Sequence, residues 1–187
     1  MGGVGNAGKN LGVYPLVEVL AVAAALSAVL LVPGWPLWAS LYLGWSLLVL
    51  AWIDARQKFL PDVVNLPLIP VGLVVTLLLA PSLLPAHLIG AVLGFSALAA
   101  IAWGYRWWRG RDGLGLGDAK LFAAAGAWLG WQALPGVLLC AALAALTVAL
   151  ARSAIGGRVQ ATDEIAFGPY LALALWAGWL LGPLTFW

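Results

Sequence analysis

Charge is what this sequence has least of. Its 187 residues carry nine basic and seven acidic side chains, 9% of the chain, where a soluble domain carries about 25%. Hydrophobic residues make up 64%, and the mean hydropathy is +1.03. That balance excludes an ordinary water-soluble domain, and one integral membrane domain, residues 1–187, is expected. Cysteine is nearly absent too. Cys140 stands alone in an apolar run, which excludes a disulfide framework and a thiolate metal site. The only histidine, His87, lies in PSLLPAHLIG between two apolar runs, and reads as an interfacial loop residue. The serines fall in no nucleophile motif. No metal, cofactor or nucleic-acid partner is expected; the partner that the composition does predict is membrane lipid.

What is present is a series of long apolar runs. A helical span needs about 20 apolar residues. Val19–Val32 and Pro36–Ile53 are the first two runs, preceded by a short polar segment, residues 1–12. Leu66–Tyr105 holds no Asp, Glu, Lys or Arg and predicts two spans, broken at APSLLPAH by Pro81 and Pro85. Leu121–Ala151 is one long tilted helix or two short ones around WQALPG, and Ile165–Trp187 closes the chain. The positive-inside rule decides between these counts. With seven spans and a cytoplasmic N-terminus, Lys9, Arg56, Lys58, Arg106, Arg109, Arg111, Lys120, Arg152 and Arg158 all face the cytoplasm. One span fewer would put Arg152 and Arg158 outside. The expectation is an all-α bundle of about seven transmembrane helices with an external C-terminus. Trp35, Trp38, Trp131 and Trp187 then fall near one interface, and Trp52, Trp107 and Trp108 near the other.

That topology brings two acids to one face. Asp54 closes the second span in WIDARQKFLPD, and Asp118 opens the fifth in GLGLGDAKLF. Asp118 taken alone reads as a helix N-cap. However, a plain cap does not need Gly113, Gly115 and Gly117 in alternation, and these suit a loop that dips into the protein. The fifth span is also short: the stretch from Asp118 to Trp131 would rise roughly 21 Å, against about 30 Å of hydrocarbon. The second and fifth spans are expected to meet near their cytoplasmic ends. Two carboxylates facing each other in a partly dry site share a proton, so one can act as base on a water while the other donates to a carbonyl. Peptide hydrolysis is one use of such a pair; a proton-coupled transport path is another.

WIDARQKFLPDVVNLPL, GLGLGDAKL and FGPYLALA, with VYPLVEVL ahead of them, resemble the type IV prepilin peptidases, membrane aspartic proteases of the GxGD type. The matches run in order from Tyr14 to Ala174. Presenilin-like proteases share GxGD, but the chain has neither the YD nor the PAL motif of that type. The resemblance implies that Asp54 and Asp118 are the catalytic pair. It implies removal of the basic leader of prepilins or pseudopilins at the cytoplasmic face of a bacterial inner membrane, with no cofactor. Gly115, Gly117, Lys120, Pro61, Asp62, Gly168 and Pro169 fall in the matched motifs. Asp62 reads as a turn or cap residue, and Gly168 and Pro169 as setting helix entry and packing. Lys120 reads as a substrate contact, a tuner of the pair or a cytoplasmic anchor. Gly126 and Gly130, spaced as GxxxG, predict close helix packing. Many bacterial members carry a cytoplasmic segment with paired CxxC motifs, associated with zinc and N-methylation. Only MGGVGNAGKNLG precedes the matched core here, so the expected activity is the peptidase of a minimal form, with methylation and oligomeric state left open.

Overall fold

A computed structural model describes residues 14–32, 34, 36–109, 115–154 and 166–182. The polar segment 1–12, Arg111, Gly113, Arg158, Trp35 and Trp187 lie outside the described residues. Among these residues the chain forms seven α-helices: α1 (Tyr14–Leu31), α2 (Pro36–Gln57), α3 (Asp62–Leu79), α4 (Leu84–Arg109), α5 (Leu116–Leu129), α6 (Leu134–Ala154) and α7 (Gly168–Leu181). Four helical stretches, 36–57, 62–79, 81–108 and 131–154, are long and apolar enough to cross a membrane. Two further apolar helical stretches, Val17–Leu31 in α1 and Gly168–Leu181, are shorter.

The breaks follow local chemistry. Pro81 starts a single 3₁₀ turn between α3 and α4. Gly130 ends α5 with φ at +82°, a conformation that glycine reaches without a Cβ penalty, and a second 3₁₀ turn, Trp131–Ala133, leads into α6. WQALPG is thus a helix break, and 121–151 is two helices.

The bundle is built around α5. Asp118, Ala119 and every residue from Leu121 to Trp128 are buried on it, and α3, α4, α6 and α7 pack around it. A helix enclosed by protein need not match the bilayer thickness, which accounts for its 14 residues. Alanines and glycines let the backbones close in, as expected where van der Waals packing drives helix association. A Cβ on Gly90 would stand 2.6 Å from the Gly126 carbonyl oxygen, and one on Gly126 would collide with Gly90. Gly126 therefore does the packing that GxxxG predicted, whereas Gly130 terminates the helix. Large apolar side chains point outward instead: Trp103, Trp107 and Trp108 are among the most exposed residues.

α3 and α7 each pack on both α2 and α5. One expectation is corrected. His87 is not a loop residue. It lies in the first turn of α4, buried, with Nδ1 3.0 Å from the Ala127 carbonyl oxygen and 2.9 Å from Thr76 Oγ1. A carbonyl can only accept, so the imidazole proton sits on Nδ1.

Candidate functional site

Successive helices alternate in direction, which gathers the end of α2 and the starts of α3, α5 and α7 at one end of the bundle. Cross-links between these elements show the gathering directly. The Gly168 amide donates to Asp54 Oδ2 at 3.0 Å. Asn65 Nδ2 donates to the Gly117 carbonyl at 2.9 Å. Lys120 Nζ donates to both oxygens of Asp62 at 2.6 and 2.7 Å. Arg56, in the last turn of α2, and Arg152, in the last turn of α6, belong to the same end. His87, Thr76 and Trp128 mark the other.

Asp54 ends up buried, with 5% of its surface exposed. Three residues later α2 ends; Lys58 adopts a left-handed conformation, φ +53°, while its amide closes the last helical bond to the Asp54 carbonyl at 2.8 Å. This is a costly backbone for a residue with a Cβ, of order 1–2 kcal/mol, and it turns the chain into Leu60-Pro61-Asp62. Pro61 is the N-cap of α3 and makes no side-chain cap bond, as it has no group to do so. On the far side of Asp54, α7 opens at Gly168 with Pro169 next to it, a favourable start since proline lacks an amide hydrogen there. Gly168 does more than set that entry. A Cβ there would stand 2.7 Å from Asp54 Oδ2, so only glycine lets its amide donate to the carboxylate.

Asp118 is 7% exposed and is not an N-cap. Gly115 holds the cap position, without a side-chain cap bond, and Asp118 is the third residue of α5. Its amide donates to the Gly115 carbonyl at 3.1 Å, while Oδ1 is buried with no hydrogen-bond partner. Gly117 allows a close approach from the α2–α3 turn, since a Cβ there would meet Leu60 Cβ at 2.9 Å. Asp54 and Asp118 are near enough for the Asp54 charge to act directly on Asp118. Among the described residues, no lysine or arginine pairs with either carboxylate. Arg56 instead stacks over Trp52, 4.1 Å from the ring centroid.

The third acid is different in kind. Asp62 stands in the first turn of α3 next to the cap residue, is half-exposed, and is ion-paired with Lys120 in a salt bridge between α3 and α5 that holds Lys120. Asn65 escaped the sequence reading. It is fully buried, and its only signal was an amide in an otherwise apolar stretch, VVNLPL.

Two nearly dry carboxylates that no cation among the described residues pairs, one holding a backbone donor and the other an orphaned oxygen, form an arrangement able to hold a water and pass protons. Such unpaired acids are costly inside a membrane protein.

A sequence model of the type IV leader peptidase family matches residues 41–150, which includes both aspartates. Among similar proteins, one named prepilin leader peptidase/N-methyltransferase from Aeromonas salmonicida is 42% identical over 90% of this chain and 58% of its own length. Relatives of the same name from Dickeya chrysanthemi are 42% identical over 93% of this chain and 62% of theirs, and from Klebsiella pneumoniae 45% identical over 71% and 58%. The chain thus spans about three-fifths of the length of these relatives. No solved structure matches it.

Proposed function

Because the chain belongs to the type IV leader peptidase family, we propose that it is a multi-pass membrane endopeptidase in which Asp54 and Asp118 together hydrolyse a prepilin's leader bond. One carboxylate, ionised, takes a proton from a water held between them. The water oxygen attacks the scissile carbonyl carbon as the other carboxylate, protonated, donates to the carbonyl oxygen. Collapse of the tetrahedral intermediate breaks the C–N bond and returns a proton to the leaving amine. The Gly168 amide holds Asp54 in place throughout.

The single observation that carries this reading is that two buried carboxylates, with no cation paired to them among the described residues, share one end of the bundle while Asp62 at that end is neutralised by Lys120. Burial disfavours two negative charges side by side, so one shared proton is the natural state of the pair. The relatives' names support prepilins as substrates. The whole of 1–187 acts as one membrane domain with seven spans, the N-terminus cytoplasmic and the C-terminus external. The site end faces the cytoplasm of a bacterial inner membrane, as Arg56, Lys58, Arg106, Lys120 and Arg152 on that end favour.

The test is cleavage of a prepilin-type substrate, a basic leader followed by an apolar segment, by the purified chain in detergent. Cutting at the leader junction, unaffected by a chelator, is expected. Absence of cutting combined with proton-coupled solute flux in proteoliposomes would overturn the proposal in favour of transport.

A further inference from the structure

We infer that Asn65 is a positioning residue for Asp118, acting through the carbonyl of Gly117; the inference rests on the reading of Asp54 and Asp118 as the reacting pair. Asn65 lies in the first turn of α3, and its amide accepts no relief from water: the side chain is 0% exposed. Nδ2 crosses to α5 and donates to the Gly117 carbonyl oxygen at 2.9 Å, a bond between residues 52 positions apart. Gly117 immediately precedes Asp118, so this bond fixes the peptide unit from which the Asp118 side chain departs. The opposite face of the same glycine is closed by Leu60. The loop before Asp118 is therefore held from one side by packing and from the other by a directional bond.

Stability does not account for an amide in this place. Asn65 Oδ1 is buried with no hydrogen-bond partner, and an unsatisfied buried acceptor destabilises the fold. Leucine branches at Cγ as asparagine does, with bulkier ends, and carries no such penalty. A residue that costs stability while fixing the backbone of a reacting group is the pattern expected at a working site. A second side-chain bond joins the same two helices from the last turn of α5, where Trp128 Nε1 donates to the Leu68 carbonyl at 2.8 Å. It offers a control of the same chemical type, on a residue ten positions after Asp118.

The experiment measures kcat, KM and thermal midpoint for Asn65→Leu, Asn65→Asp, Trp128→Phe and Asp118→Asn, using the prepilin-type substrate in detergent. Asn65→Leu is expected to keep the wild-type midpoint and KM while kcat falls about 10- to 100-fold, the scale of a misplaced reacting group. Asn65→Asp, which replaces the donor with an acceptor facing a carbonyl, should fall at least as far. Trp128→Phe should lower the midpoint and leave kcat unchanged. Wild-type kcat in Asn65→Leu, with Asp118→Asn inactive, would overturn the inference and leave the proposed chemistry standing. A fall in kcat that merely follows a fall in midpoint, or failure of both Asn65 variants to fold, would assign Asn65 to the fold and overturn it as well. An active Asp118→Asn would instead overturn the reading of the pair.

Discussion

The two ends of the bundle treat buried polar atoms in opposite ways. At the far end, Thr76 Oγ1 donates to the Gly72 carbonyl at 3.0 Å, His87 Nδ1 reaches Thr76 and Ala127, and Trp128 reaches Leu68. Nearly every group there has found a partner, Gln132 Oε1 beside Gly130 being the exception. At the carboxylate end the acceptors outnumber the donors among the described residues. Asp118 Oδ1 and Asn65 Oδ1 have none, and the Asp54 carboxylate has one there, the Gly168 amide. Since both ends are enclosed by the same helices, burial alone cannot explain the difference. Satisfied polar groups hold the fold; unsatisfied ones mark where a substrate and a water complete the set.

This contrast can be broken at each level, beginning where the effect is greatest. Asp54→Asn and Asp118→Asn should each cut kcat by about 10³-fold or more, since each removes one partner of the acid–base step, with no loss of thermal stability. A detergent cleavage assay and a melting curve check both halves. Gly168→Ala comes next. Its methyl would crowd the Asp54 carboxylate, displacing it and weakening the amide bond, and a loss of roughly 10- to 100-fold in kcat is expected. His87→Ala should do the reverse, lowering stability by about 1–3 kcal/mol through the stranded Ala127 carbonyl and Thr76 hydroxyl, with kcat unchanged. The smallest effect belongs to Lys120→Gln. An exposed ion pair contributes about 0–1 kcal/mol, so denaturant unfolding should shift little, and kcat should stay within a few-fold of wild type.

Much of this was legible in the sequence, for identifiable reasons. Charges are so sparse that each one marks the end of an apolar run, which located Asp54 and Asp118 and gave them a common side. Proline and glycine located the breaks at APSLLPAH and WQALPG. What escaped depends on contacts between distant segments. The Gly168 bond to Asp54 joins residues 114 positions apart, and nothing local announces it. Asn65 carries no charge and looks like an interruption in an apolar helix. His87 was misplaced because the prolines around it suggested a loop, whereas Pro85 occupies the first turn of α4, where its missing amide hydrogen costs nothing. Asp118 was the hardest to read from local pattern alone: glycine took the cap position, and the acid lies three residues inward of it, available for chemistry.

The most direct test of the central claim is a double-mutant cycle on the two aspartates, with single-turnover cleavage measured for wild type, Asp54→Asn, Asp118→Asn and the double variant. If the carboxylates act as one unit, each single change removes almost all the activity, and the double variant is no slower than the worse single one. Losses that multiply, or a single variant that cleaves at close to the wild-type rate, would contradict the account.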